Sequence, residues 1–484
     1  MRSGDPAQQP VKLPAREGSR TRLRTITSDA RISDLIPRIF VIICLPMCLA
    51  YALLLPPLQA PDEFAHLFRA YGISEGHLVA GALTPIPLTL QRLVGRFPPH
   101  VEQVRRISAQ ELLNDLDITL TPDAEVQVPN EGMNVNTWIP YVPAATVVFF
   151  ARITHASPLA IMYSGRVANL LGYIFLTWLA LRLLPVGRML LFTVSLMPMV
   201  LHQAAALSWD SITFALAFFF CALVVRSAHS NCRLAKGDYM LLGGSVLVIS
   251  LCKIDFALLP GLALIPAARF ASRRVHVAFL VGCFGAAVFA NALWQYADHA
   301  NLELFKASVS TQYHTNMPDN IWYLYYNTGY FINAAVRSII STGGLHLGEL
   351  IGTFGWLYVR LSPLVVVTYL GLLLAVGLTS LSDVQLGSAQ RWILFCIGLI
   401  GSCACVLAMW LQTPDFYIQN AILHNIGTLY GIQGRHFIPF VFPSLLLLSN
   451  KRLVLNSSWM LPIAISIIIA VNVNGLAAIR GAYY

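Results

Sequence analysis

The stretch Ile36–Pro57, IPRIFVIICLPMCLAYALLLPP, decides the fold class of this chain. It is apolar enough and long enough to cross about 30 Å of hydrocarbon, which takes about 20 residues of helix. Similar runs recur along the 484 residues, of which 56% are hydrophobic and 11% charged. An average soluble protein has about 25% charged residues. The composition therefore predicts an all-α, polytopic transmembrane helical bundle.

The hydrophobic runs predict about 11 membrane spans. After the first run, they lie at about 158–184, 188–207, 209–226, 239–254, 256–269, 276–297, 363–381, 391–411, 436–450 and 457–476. Residues 1–35 are polar, rich in arginine and without apolar periodicity, so we expect a disordered cytoplasmic tail. Residues 36–484 are expected to form a single polytopic membrane domain.

Basic residues predict the orientation of the bundle. The arginine cluster before the first run and the Lys and Arg residues of the short loops all fall on one side, which the positive-inside rule assigns to the cytoplasm. Three sizeable outer segments remain, at about 58–157, 298–361 and 412–435. The first is expected to contain interfacial helices, because its run WIPYVPAATVVFFAR is too short and too interrupted by proline to span the membrane. The formal net charge of +9 is explained by the basic residues of the short cytoplasmic loops, so we expect no nucleic-acid partner.

The nine cysteines predict no special chemistry. They contain no CxxC pair, and nearly all lie in hydrophobic runs or beside basic turns. We therefore expect buried structural thiols and no disulfide framework.

Directly after the first span, the segment PDEFAHLFR contains two adjacent carboxylates, Asp62 and Glu63. If the segment is helical, Asp62, His66 and Arg69 lie near one face and Glu63 points about 100° away. One interpretation is an acidic helix start, which the helix dipole favours. The other is a general base or metal ligand on the outer surface. Because the position looks exposed, we expect removal of either carboxylate to cost little stability.

A second acid, Asp210, follows the span that ends in AAALSW. It comes out on the same side as Asp62, so the two acids are predicted to converge on one outer face. Asp210 or Ser208 could instead serve only as a helix cap. A metal site formed by Asp62, His66 and His202 is a less favoured alternative, which leaves a divalent cation open as a cofactor.

The other candidates are cations and a glycine at outer helix ends: Lys253, Arg360, Gly434, Arg435 and His436, with Arg166 beside a membrane entry. Lys253 could pair with Asp255 or bind an anionic ligand. Arg435 could snorkel to the interface or grip phosphate with its planar fork, and Gly434 would let backbone approach the ligand closely. The sequence contains no Walker loop, GxGxxG or HExxH motif, so an enzyme here would use a substrate that the membrane delivers.

Six motifs occur in an order that resembles the bacterial membrane proteins grouped as domain-of-unknown-function family 2142. They are PDEFAHLFRAYGISEG, YSGRVANLLG, LMPMVLHQAAALSWDSIT, KIDFALLPGLALIP, GTFGW and GIQGRHFIPFVFPSLLLL. The resemblance covers about residues 36–476. Two departures concern acceptor contacts: NTWIPYVPA replaces a more aromatic stretch, and His436 stands where tyrosine is frequent.

That family in turn resembles the integral-membrane glycosyltransferases of the C superfamily. The resemblance implies Asp62 or Glu63 as catalytic carboxylate, Asp210 as second acid, and a polyprenyl-phosphate sugar as donor. Lys253, Arg360 and Arg435 would face the lipid phosphate. His66, Arg69, Gly434 and His436 complete the expected substrate-binding set. The implied reaction is an inverting transfer to a cell-surface glycan, lipid or protein, in a bacterial inner membrane and among its lipids.

The position of the acids supports a lipid-linked donor independently, because nucleotide sugars stay in the cytoplasm while the predicted acids lie outside. The alternative function is a transporter or flippase of lipid-linked glycans. That class should carry ionisable residues near the membrane midplane and repeat-related broken helices, whereas here the charges cluster at outer helix ends. A third interpretation is an assembly scaffold with an inactive site.

Overall fold

The structure is a computed structural model that describes residues 17–99, 105–121, 124–252, 255–313, 317–379, 386–411, 431–450 and 457–484. Its first helices are α1 (Glu17–Leu54), α2 (Glu63–Ser74), α3 (Leu88–Arg96), α4 (Ala109–Leu116), α5 (Glu131–Asn134), α6 (Val142–Ile153), α7 (Pro158–Leu183), α8 (Arg188–Ser195), α9 (Pro198–Ala204) and α10 (Trp209–His229). The later helices are α11 (Lys236–Ser250), α12 (Arg273–Ala297), α13 (His299–Tyr313), α14 (Met317–Tyr326), α15 (Thr328–Gly352), α16 (Pro363–Thr379), α17 (Ser388–Leu411), α18 (Ile438–Leu446) and α19 (Ser457–Tyr483).

Strands are few and short. β1 (Leu83–Pro87) pairs antiparallel with β2 (Glu125–Pro129), and β3 (Thr353–Phe354) pairs antiparallel with β4 (Val359–Arg360). Turns of 3₁₀ helix cover Ile139–Tyr141, Asp255–Leu264, Ala267–Arg269 and Gly434–Phe437. The predicted all-α class is confirmed.

Six helices among the described residues are long and apolar enough to cross a membrane: Asp34–Leu54, Pro158–Leu183, Trp209–His229, Arg273–Ala297, Ser388–Leu411 and Trp459–Tyr483. Other predicted spans are shorter or interrupted. The run at 188–207 is divided into α8 and α9 before Pro198, and the run at 256–269 forms 3₁₀ helix around Pro260. Proline causes such breaks because it lacks an N–H and its ring clashes with the preceding turn.

The broken segments lie mostly inside the protein. All seven residues of α9 are buried, and α9 contacts α1 and α10. Irregular backbone at membrane depth is tolerated where the surrounding protein encloses it. Interrupted helices in the interior are therefore compatible with a bundle in which other long helices face outwards, such as α12, whose span is only 11% buried.

The first helix begins earlier than predicted. α1 starts at Glu17, inside the segment expected to be a disordered tail, and continues without interruption into the first span. Extending an existing helix is far easier than nucleating one, so the membrane span can propagate helix into polar sequence. Residues 17–35 are helical in the structure, which differs from the predicted disordered tail, while residues 1–16 lie outside the described part.

The first outer segment folds as a small unit on the end of the bundle. α2, the β1–β2 ribbon and α6 enclose a separate apolar core with Leu58, Phe68, Ile86, Tyr141 and Val148. The interfacial helix predicted here is α6, and its Phe149 and Phe150 are exposed. The second outer segment consists largely of α13, α14 and α15, and most of the third lies outside the described residues.

The nine cysteines form no disulfide within the described part of the chain, and six of them are buried. This agrees with the predicted structural thiols.

Candidate active site

Asp62 lies immediately before α2 and is partly exposed. Its backbone is left-handed, with φ 59° and ψ 13°, a conformation that costs a residue with a side chain on the order of 1–3 kcal/mol. The turn is held by the Glu63 N–H, which donates to the Ala60 carbonyl at 3.2 Å, and by the His66 N–H, which donates to the Asp62 carbonyl at 3.0 Å. The Asp62 carboxylate itself does not cap the helix. The carboxylate is partly exposed and makes no hydrogen bond or ion pair with the described residues.

This differs from the predicted geometry. Because α2 begins at Glu63, Asp62 precedes the helix and does not share a helical face with His66 and Arg69.

The neighbouring Glu63 is completely buried and paired with Arg166 of α7. Nε and Nη2 of Arg166 donate to the two carboxylate oxygens of Glu63 at 2.7 and 2.6 Å, and the Leu207 N–H donates to Glu63 at 3.0 Å. Arg166 also donates to the carbonyls of Ala52, Leu55 and Pro56 at the end of the first span. The expectation of an exposed, unpaired carboxylate is wrong for Glu63. Of the two adjacent acids, Asp62 is the one open to a substrate.

Helix α7 approaches the segment before α10 closely through two glycines. A Cβ at Gly165 would lie 2.5 Å from the Leu207 side chain, and a Cβ at Gly172 would lie 2.8 Å from Ile212. These glycines are seven residues apart, so they lie on one face of α7. Small residues at both positions let the two backbones pack together, as they do at other membrane helix contacts.

The same face of α7 positions the second acid. Asn169 Nδ2 donates to the carbonyls of Ala206 and Ser208 at 3.1 and 2.9 Å. The Ser208 hydroxyl then caps α10 by accepting from the Asp210 N–H at 3.2 Å. Ser208, and not the buried Asp210 carboxylate, therefore provides the cap of α10.

Asp210 faces Arg435. Arg435 Nε lies 3.8 Å from Asp210 Oδ2, and both side chains are at least nine-tenths buried. Arg435 Nε has no hydrogen-bond partner among the described residues. A buried donor without a partner costs on the order of 1–3 kcal/mol, and more when it belongs to a charged group. The Arg435 guanidinium therefore has unused capacity to bind an anion.

The turn that carries Arg435 is fixed by α15. The Gly434 N–H donates to Glu349 Oε2 at 2.8 Å, and the same oxygen lies 3.0 Å from His346 Nδ1. Thr342 Oγ1 lies 3.0 Å from His346 Nε2 and extends this chain along α15. A Cβ at position 434 would collide with the His346 carbonyl. Glycine is thus required for packing against α15, which differs from the predicted approach to a ligand.

Tyr141 and His66 connect α2 with the start of α10. The Tyr141 hydroxyl is 2.8 Å from His66 Nδ1, and the His66 ring packs against Trp209, beside Asp210. Burial raises the pKa of Tyr141 well above its ordinary value, Arg69 lowers it, and Asp210 and Asp62 raise it further. Both acids therefore lie near enough to Tyr141 to raise the pKa of its hydroxyl.

Arg69 lies near the same hydroxyl, since it lowers the pKa of Tyr141, and its Nε has no hydrogen-bond partner among the described residues. Its guanidinium donates to the carbonyls of His77, Leu78 and Asn136 at 2.9, 2.6 and 3.2 Å. These contacts tie α2 to the loops of the first outer segment. The predicted role of Arg69 in substrate binding stays a prediction.

The other predicted residues are more scattered. Arg360 is exposed on β4 and makes no direct contact with Asp62, Asp210 or Arg435 in the described structure. His436 follows Arg435 and is partly buried, and its carbonyl accepts from the Cys405 thiol at 3.5 Å. Lys253 lies outside the described residues.

The predicted metal trio is not assembled. His202 packs between the rings of Tyr51 and Phe354, with centroid separations of 6.4 and 5.4 Å, while His66 contacts Tyr141. Among the described residues, no group of three or more His, Cys, Asp or Glu side chains could hold a metal ion.

Three contributors to this site were not assigned from the sequence: Tyr141, Glu349 and the pairing of Glu63 with Arg166. Two of them had a visible signal. Arg166 lies inside the YSGRVANLLG motif, and Glu349 lies three residues before GTFGW. Tyr141 lies in the NTWIPYVPA stretch, which was noted only as a departure.

These features define the chain as a polytopic α-helical membrane protein with two acids and an arginine grouped at one end of its bundle. The family model "Predicted membrane protein (DUF2142)" matches residues 45–443, so the chain belongs to that family, as its motifs predicted. Comparison with curated proteins and with solved structures found no match.

Proposed function

We propose that this protein is a glycosyltransferase that moves a sugar from a polyprenyl-phosphate donor to a cell-surface glycan, lipid or protein. One observation carries the proposal: the partly exposed Asp62, which makes no hydrogen bond or ion pair with the described residues, and Asp210, which faces Arg435, both raise the pKa of Tyr141, while Arg435 Nε has no hydrogen-bond partner among the described residues. A carboxylate free to accept a proton and a cation free to bind phosphate are the two groups that such a transfer requires.

Asp62 is the proposed general base. An acceptor hydroxyl is a weak nucleophile until its proton is removed, and a positioned base typically contributes about 10²–10⁴-fold. In the proposed step the acceptor oxygen bonds to the anomeric carbon while the bond from that carbon to the phosphate oxygen breaks. The electron pair leaves with polyprenyl phosphate, the hydroxyl proton passes to Asp62, and the configuration inverts.

Arg435 is the proposed phosphate ligand. Its fork matches two phosphate oxygens, and its charge stabilises the leaving group as negative charge develops. At 3.8 Å from Arg435 Nε, Asp210 is close enough to orient the guanidinium but too distant to saturate it with hydrogen bonds. Asp210 is therefore a positioning residue in this proposal.

The proposed location is a bacterial inner membrane with the N-terminus in the cytoplasm and the site on the outer face. The six apolar helices support a membrane location, and the arginine-rich short loops support the orientation. A site on the outer face requires a donor that crosses the membrane on a lipid carrier, which is why a polyprenyl phosphate is proposed and not a nucleotide sugar.

Comparison of lipid-linked sugars and surface glycans in cells with and without the protein tests the proposal. We expect loss of the protein to cause accumulation of the donor lipid on the outer leaflet and loss of one sugar decoration. Asp62→Asn should reproduce this phenotype. The matched control is Asp117→Asn, an exposed aspartate of the same outer segment, which should leave both pools unchanged. Donor trapped on the inner leaflet would contradict transfer and indicate a flippase.

A further inference from the structure

A basic pocket lies at the opposite end of α7 from the candidate active site. α7 has 26 residues and is therefore about 39 Å long, beginning beside the first outer segment and ending at Leu183. A cavity of about 450 Å³ at its far end is lined by Asp34, Pro37, Arg38, Trp178, Arg182 and Arg188. The lining belongs to α1, α7 and the start of α8.

The charges of this pocket are unbalanced. Three arginines face one aspartate, a formal charge of +2. Arg188 is held in place, because its Nη1 donates to Asp34 at 2.8 Å and its Nε donates to the Leu184 carbonyl at 2.6 Å. Arg38 and Arg182 make no ion pair with any described carboxylate. A cavity with two uncompensated guanidinium groups favours an anionic ligand.

An apolar stripe runs from the pocket along one face of α7 towards the middle of that helix. The Arg182 guanidinium lies over the Trp178 ring, 5.0 Å from its centroid, and Trp178 contacts Phe175 at 6.3 Å. Phe175 is 59% exposed and Leu171, one turn further along, is 51% exposed. At spacings of three and four residues these side chains follow one face of α7. A soluble anion in the pocket makes no contact with this stripe, whereas the acyl chains of a bound lipid can pack along it.

We propose that this pocket binds the phosphate headgroup of an anionic phospholipid, with the acyl chains along Trp178, Phe175 and Leu171. Arg38 and Arg182 contact the phosphate, while Arg188 is oriented by Asp34 and completes the cradle. Basic pockets between membrane helices at the positively charged face are suited to such headgroups. The proposal is independent of the proposed transferase activity and concerns the other face of the membrane.

Lipid titration of the purified full-length protein in neutral detergent, followed by native mass spectrometry, tests this site. The probes are dioleoylphosphatidylglycerol and dioleoylphosphatidylcholine. We expect selective binding of the anionic lipid, weakened about fivefold by Arg38→Gln or Arg182→Gln and about 30-fold by the double variant. Arg233→Gln is the control, because Arg233 is an exposed arginine of a different short loop. If the glutamine variants do not fold, Arg38→Lys and Arg182→Lys replace them, with a smaller loss expected.

Competition with inorganic phosphate distinguishes a pocket for a phospholipid headgroup from a pocket for free phosphate. We expect millimolar phosphate to compete poorly with the lipid, since it makes no contact with the apolar stripe. Equal binding of both lipids, unchanged affinity in the double variant, or displacement by phosphate at the concentration of the lipid would each overturn the proposal.

Discussion

Two carboxylate–guanidinium pairs lie near the same end of the bundle, and they differ in almost every respect. Glu63 and Arg166 are fully buried, and Nε and Nη2 of Arg166 lie 2.7 and 2.6 Å from the two carboxylate oxygens of Glu63. Their other hydrogen bonds are made with backbone groups. Arg435 Nε lies 3.8 Å from Asp210 Oδ2 and has no hydrogen-bond partner among the described residues. The first pair is closed and joins three segments of the chain. The second pair is open in the sense that Arg435 Nε is a donor that no described residue satisfies.

The difference shows why adjacent residues can have unrelated roles. Removing one member of a closed, buried pair leaves a charge without water or partner, so that pair matters mainly for stability. An exposed carboxylate such as Asp62 can be neutralised at little cost to folding. A substitution at position 62 should therefore lower activity and a substitution at position 63 should lower stability, although the two residues share a peptide bond.

The largest expected effect is on turnover at Asp62. Asp62→Asn keeps the shape of the side chain but removes the basic oxygen, so we expect kcat to fall about 10²–10⁴-fold. Donor affinity and the thermal unfolding midpoint should stay near those of the native protein. The measurement is single-turnover transfer with purified protein in membranes, and undiminished turnover would remove Asp62 from the chemistry.

The next effect concerns the closed pair and is one of stability. Glu63→Gln leaves Arg166 buried without its counter-charge, so the free energy of unfolding should fall by about 3–5 kcal/mol. The double variant Glu63→Gln/Arg166→Gln should lose less than the sum of the single variants, because no unpaired charge remains. Denaturant titration in detergent micelles measures the cycle. A Glu63→Gln protein of native stability would contradict the closed-pair interpretation.

A smaller effect is expected when the arginine of the open pair is replaced by another positively charged residue. Arg435→Lys replaces a fork by a point charge, and lysine does not reproduce a bidentate phosphate contact. We expect kcat/KM for the donor to fall about 10- to 100-fold, the equivalent of one or two charge-assisted hydrogen bonds. Donor titration separates the two possible origins: a fall in affinity indicates a ground-state contact, and a fall in kcat indicates a contact that strengthens with the leaving group. Native values for both parameters would indicate that Arg435 only snorkels.

The smallest effect is predicted for the residue that supports the open pair. Glu349→Gln can still accept from the Gly434 N–H, but through a neutral oxygen, so we expect about a three- to tenfold fall in kcat/KM. Glu303→Gln is the matched control, because Glu303 is an exposed glutamate paired with Lys306 in the same outer segment. Equal behaviour of the two variants would show that α15 does not position Arg435.

The sequence by itself determined the membrane class, the all-α fold and the family, because these depend on the length and periodicity of apolar runs and on the order of motifs. It also indicated that Asp62, Asp210 and Arg435 lie at one end of the bundle. Hydrophobic length locates helix ends, and residues at equivalent helix ends share a membrane face. These inferences need only local properties of the chain.

Only the tertiary structure decided which of two adjacent acids is closed and which is open. The partners of Glu63 are Arg166 and the Leu207 N–H, more than 100 residues away along the chain, and no local pattern reveals such contacts. Tertiary packing likewise decided that several apolar runs are interrupted helices enclosed by neighbours, where buried backbone groups find partners that lipid does not offer. Burial and pairing are properties of the surroundings, so the same residue type at neighbouring positions can hold the fold together or remain available for chemistry.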